Sequence, residues 1–104
     1  MLKTEISKLA DSIKYQKNSV VSKEVIKKPT GTVTLFSFDK GQGLSEHKAP
    51  FDALVYVVDG KVGITISSKQ YNLKKGEMII MPANQPHSLK AVEKFKMILI
   101  MIRF

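Results

Sequence analysis

The chain contains no cysteine. That excludes a disulfide scaffold, a thiolate-ligated zinc or iron–sulfur centre, and a thiol nucleophile. It holds a single arginine, Arg103, beside sixteen lysines. The formal net charge of +8 at pH 7 raises the question of a nucleic-acid partner. Arginine, however, is the side chain that reads bases and clamps phosphate bidentately. The lysines also run from Lys3 to Lys96 without gathering into one block. We therefore expect no nucleic-acid partner. Long apolar runs are missing as well. The longest, Met97 to Ile102, is far short of the roughly 20 residues a membrane-spanning helix needs. Met1 to Tyr15 mixes charged and apolar residues and lacks the apolar core of a signal peptide. The expected location is the cytoplasm, with no membrane partner.

What is present is ordinary globular composition: 104 residues, 43% hydrophobic and 25% charged. That length supports a single domain over residues 1–104 and a core large enough to stand without staples. Leu2, Ile6, Leu9 and Ile13 fall on one face of a short helix, so residues 1–18 are expected to form an N-terminal helical segment. From Ser19 the pattern turns to β. Val20 to Ile26, Thr32 to Phe38, Ala53 to Val58, Val62 to Ile66, Tyr71 to Leu73, Met78 to Met81 and Phe95 to Ile102 read as strands. Asp59-Gly60 is a dipeptide suited to a tight hairpin turn, and Ser67 to Gln70 reads as a second hairpin loop. Pro82 to Pro86 cannot be a central strand, since proline has no ladder donor. Short strands with turn signals every 8–12 residues or so predict an antiparallel all-β sandwich or barrel over residues 19–104. Ala53 to Val58 and Met97 to Ile102 are apolar at nearly every position. One barrel interior covers one face only, so the second face predicts a homodimer.

There are two histidines, His47 and His87, each beside a turn-rich segment. In an antiparallel barrel such positions can converge at one mouth. Phe51, Val55 and Val57 share the strand face of His47 and are expected to line a small apolar pocket. Glu46, Asp52 and Tyr56 are the nearby candidates for a second chemical role. Met78, Met81, Met97 and Met101 read as core filler.

Gly41 to Gly60 and Gly76 to Ala91 resemble the two signature segments of the cupin superfamily. Gly41, His47 and Gly60 fall on the frame of the first, and Gly76, Pro82 and His87 on that of the second. SEHKAPFDA, from Ser45 to Ala53, and MPANQPH, from Met81 to His87, look like those of small single-domain cupins. The resemblance implies an antiparallel jelly-roll β-barrel of the cupin kind behind the N-terminal helix. It also implies a metal held by two histidines, a glutamate and a last histidine. His47 matches the first of these ligands and His87 the last. The second histidine falls on Ala49 and the glutamate on Ala53. Asn84 replaces a glycine, which asparagine tolerates because it visits the left-handed conformation. The expected protein is thus a small-molecule-binding cupin with an eroded metal site, holding at most a weak divalent ion (Zn, Ni, Mn or Fe). The alternatives are an enzyme using metal-assisted or histidine acid–base chemistry, and a ligand sensor without turnover.

Overall fold

The computed structural model describes residues 3–103. Nine strands follow one another: β1 (Val20–Lys28), β2 (Gly31–Phe38), β3 (Gly43–His47), β4 (Asp52–Asp59), β5 (Lys61–Ile66), β6 (Lys69–Lys74), β7 (Met78–Met81), β8 (His87–Ala91) and β9 (Phe95–Ile102). They form a five-stranded sheet, ordered β1-β2-β9-β4-β7, and a four-stranded sheet, ordered β3-β8-β5-β6. Every pairing is antiparallel. The two sheets face each other as a jelly roll, which is the antiparallel all-β architecture the strand pattern predicts in the form the resemblance implies.

Alternation along the strands decides what lies between the sheets. On β4, Ala53, Val55 and Val57 point inward and are buried, while Asp52 and Tyr56 are exposed. Val62 and Ile64 on β5 of the other sheet, and Phe95 and Met97 on the neighbouring β9, are completely buried with them. Phe38 and Phe95 stack with ring centroids 4.5 Å apart. Fully burying a side chain of this size contributes about 1.5–3 kcal/mol. The core is therefore the main source of cohesion.

The N-terminal segment corrects the sequence reading. Among its described residues the one helical turn is the 3-10 turn Leu9–Asp11, and no side chain caps it. Leu2 lies outside the described residues. Of the remaining apolar face, Ile6 is fully exposed, Leu9 is 37% exposed, and only Ile13 is buried. An isolated helix of this length is marginal in water, so tertiary contacts decide the conformation. Here they favour an extended path tied to the barrel. The Ser37 hydroxyl donates to the Lys14 carbonyl at 2.8 Å, and the Lys96 ammonium donates to the Ala10 carbonyl.

Asp59-Gly60 is a second correction. β4 and β5 do not pair; they belong to different sheets. The dipeptide is a corner between layers rather than a hairpin turn. Gly60 is still required, with φ at +78° and the Lys94 carbonyl oxygen where a Cβ would stand. The hairpin between β5 and β6 does form, closed by Ser67 and Ser68 at φ 48° and 70°. Two successive positive values are what a tight antiparallel hairpin demands.

Candidate functional site

Three hydrogen bonds between loops place the site. The Asn84 N–H donates to the Ala49 carbonyl at 2.7 Å, and the Ala83 N–H donates to Asp52 Oδ1 at 2.8 Å. Asn84 takes the left-handed conformation, φ 64°, that the sequence comparison with glycine anticipates. The Ser67 N–H donates to the Pro86 carbonyl at 2.9 Å. The loop 82–86 is thereby fastened to the segment before β4 and to the β5–β6 turn. It delivers the chain to His87 at the start of β8. There His87 pairs directly with His47 at the end of β3.

The two imidazoles meet. Nε2 of His47 lies 3.1 Å from Nε2 of His87, with the ring planes at 70°. His47 is exposed, whereas His87 is buried at 5% exposure. Nδ1 of His47 is 2.8 Å from the Ser45 carbonyl, and Nδ1 of His87 is 3.2 Å from the Gln85 carbonyl. A carbonyl only accepts, so each Nδ1 carries a proton and donates. In the neutral rings both Nε2 atoms then present lone pairs to each other. The contact becomes a hydrogen bond when one proton sits between them. A third group inserted at this point also relieves it. Burial lowers the pKa of His87 from its usual value, and the neighbouring His47 charge adds to this against the Gln85 carbonyl.

Beside the pair opens a cavity of about 140 Å³. Both histidines line it, together with Leu44, Phe51, Leu89 and Leu99. Three methionines, Met81, Met97 and Met101, and two alanines, Ala49 and Ala53, complete the wall. It is a hydrocarbon pocket with one polar end.

The candidate residues divide clearly. Phe51 lines the cavity, but Val55 and Val57 do not. They face inward and are consumed by the packed core. Glu46, Asp52 and Tyr56 also fail to reach the cavity. Alternation turns Asp52 and Tyr56 to the outside of β4, and Glu46 is exposed on β3. Asp52 instead holds the 82–86 loop. Met78 is 64% exposed on the outer face, unlike the other three methionines. The sequence reading missed Leu44, Leu89 and Leu99; alternation from His87 along β8 points to Leu89, whereas the register shift between Leu44 and His47 hides Leu44 from the same argument.

The donor set does not fit a three-ligand metal centre. Ala49 and Ala53, at the positions of the missing histidine and glutamate, contribute methyl groups to the wall. Among the described residues no group of three or more histidine, cysteine, aspartate or glutamate side chains comes together. Catalytic metal sites ordinarily keep three protein ligands.

A jelly roll enclosing a histidine-ended apolar cavity defines a small barrel protein built around a ligand-sized hollow. Residues 34–103 match the family described as Cupin domain, and the chain belongs to that family. Its structure is similar to a conserved protein of unknown function from Streptococcus pyogenes, with TM-score 0.94 and 32% identity over 100% of this chain and 91% of that one. It is also similar to a cupin superfamily protein from Desulfitobacterium hafniense, with TM-score 0.93 and 27% identity over 99% and 95% of the two chains. A cupin 2 conserved barrel domain protein from Leptotrichia buccalis is 43% identical, with TM-score 0.87, over 90% of this chain and 46% of that one. No curated protein matches the chain. Among the described residues no helix is long and apolar enough to cross a membrane.

Proposed function

We propose that this cupin binds a small, largely apolar molecule in the cavity of the barrel, with His47 and His87 meeting its polar end. The observation that carries this reading is the placement of two Nε2 atoms, 3.1 Å apart, at the edge of a hydrocarbon-lined hollow of about 140 Å³. A polar group of the ligand inserted between the rings satisfies both nitrogens. The test is a calorimetric or fluorescence screen of small ligands against wild type, His47→Ala and His87→Ala. The reading expects both variants to stay folded and to lose affinity at least about tenfold, the scale of one good hydrogen bond. Unchanged affinity in both variants overturns it.

A catalytic reading draws support from the same pair. A proton held between two imidazoles is available to a bound substrate, which suits acid–base chemistry near neutral pH. A sensor without turnover uses the same contacts. Turnover of a bound ligand separates the two. A weakly held divalent ion (Zn, Ni, Mn or Fe) on the two Nε2 atoms is the remaining reading for a cofactor. Metal analysis of protein purified without a histidine tag decides it.

We further propose that the chain is a homodimer. The outer face of the five-stranded sheet supports this, because it carries Tyr56, Met78, Ile80 and Ile102 at 37–67% exposure. Leu54, Ile98 and Ile100 lie half-buried among them. An apolar surface of this continuity is characteristic of an interface. The reading places the protein in the cytoplasm, which cell fractionation checks.

A further inference from the structure

Arg103 is the only arginine in a chain with sixteen lysines, and it does not itself line the cavity but packs on a residue that does. Its guanidinium carbon lies 4.9 Å from the centroid of the Phe51 ring. Phe51 is also part of the cavity wall. One aromatic ring therefore joins the hydrocarbon interior to a fixed cation. The backbone of Arg103 is anchored, with its N–H donating to the Thr30 carbonyl at 2.7 Å just beyond the β2–β9 pairing. The side chain thus extends from a held position. The carboxylate nearest in sequence to Phe51, Asp52, is already engaged by the Ala83 N–H.

Chemistry distinguishes this residue from the surrounding lysines. A guanidinium stacked on an aromatic face keeps its in-plane N–H donors pointing outward, and that planar fork matches a carboxylate. The cavity itself sets the size of the rest. A hollow of about 150 Å³ with apolar walls holds one benzene molecule, and this one measures about 140 Å³.

We propose that the ligand is a compact monocarboxylate, its apolar body of roughly six carbon atoms in the cavity and its carboxylate held by Arg103 at the mouth. This rests on the reading of the cavity as the binding site, and it adds a carboxylate at Arg103 to the polar group that His47 and His87 meet. Arg103 is a specificity residue: it chooses between charged and neutral molecules of equal shape.

The experiment uses the full chain and two probes of one shape, benzoate and benzamide, titrated by calorimetry and followed by amide and methyl NMR shifts at Ala49, Ala53 and His87. Wild type should bind benzoate at least about tenfold more tightly than benzamide. Arg103→Gln should abolish that preference. Arg103→Lys should retain only part of it. Equal affinity of wild type for the two probes overturns the carboxylate assignment and leaves the cavity reading standing. A preference for benzoate that survives in Arg103→Gln overturns the role of Arg103. If neither probe moves the cavity resonances, the monocarboxylate assignment falls. An uncharged aliphatic probe, cyclohexanol, then tests the cavity reading separately.

Discussion

The Tyr15 hydroxyl donates to Asp59 Oδ2 at 2.6 Å, across 44 residues of sequence. The same ring has the ammonium nitrogens of Lys94 and Lys96 each 4.8 Å from its centroid. This cluster ties the N-terminal segment to the end of β4, where the chain turns from one sheet to the other. Tyr15→Phe keeps the ring and its cations but removes the hydrogen bond. We expect it to cost about 1–2 kcal/mol in urea unfolding, the range for a bond to a charged acceptor at a half-exposed position. Tyr15→Ala should cost more. An unchanged midpoint in Tyr15→Phe would show that this hydrogen bond does not contribute to barrel stability.

Two glycines with the same backbone conformation should respond differently to one methyl group. Gly41 has φ +83° and open space around a Cβ position, whereas at Gly60, φ +78°, that Cβ would stand 1.9 Å from the Lys94 carbonyl oxygen. Gly41→Ala should cost about 1–2 kcal/mol, the left-handed penalty alone. Gly60→Ala should cost several times that or prevent folding, since backbone must move. Equal thermal shifts in the two variants would contradict the tight sheet-to-sheet corner.

Acid should weaken the fold through His87. Its pKa is lowered in the folded chain from the ordinary 6.5, chiefly by burial. As pH falls, the unfolded chain therefore takes up this proton first. The associated stability is present above pH 6.5 and is lost as pH drops from there through the lower folded value. One proton of difference is worth at most about 1.4 kcal/mol per pH unit. Between about pH 7 and pH 5, the loss of stability should be steeper in wild type than in His87→Gln. Parallel curves would count against a buried His87.

Solution mass checks the proposed dimer. Ile80→Lys and Met78→Lys place charge on the exposed face of β7 without entering the core. Sedimentation at tens of micromolar or so should give a dimer for wild type and a monomer for the double variant, with little change in monomer fold. A monomeric wild type would leave the apolar sheet face without a second copy to cover it.

Much of the barrel is readable from alternation, and the exceptions are instructive. β2, β4, β5 and β9 show apolar periodicity because they bury inward side chains. β3 and β8 carry no strand signal in the sequence. Ser45, Glu46 and Lys90 give them a loop-like composition, and their regularity comes from pairing with each other and with β5. These two strands carry the histidines. Local propensity is thus weakest where the site is built. The N-terminal segment errs the other way: its helical spacing includes Ile6, Leu9 and Ile13, of which the barrel buries only Ile13. At Asp59-Gly60 the local turn chemistry is visible in sequence, but the layer change is not. That depends on which partners β4 and β5 find. The absence of Val55 and Val57 from the cavity wall has a similar cause. Alternation tells which side of a strand a residue faces, but not how deep along the barrel the hollow extends.

β3 is the outermost strand of its sheet, and its register with β8 slips between Leu44 and His47. An edge strand with an interrupted ladder frays at far lower free energy than the body of the sheet. His47 therefore rides on an edge strand with an interrupted ladder, while His87 sits on a strand paired on both sides. Peeling that single edge would part the imidazoles and open the hollow, since Leu44 and His47 of β3 line it. Guest exchange would then keep time with amide exchange at residues 44–47, well ahead of global unfolding.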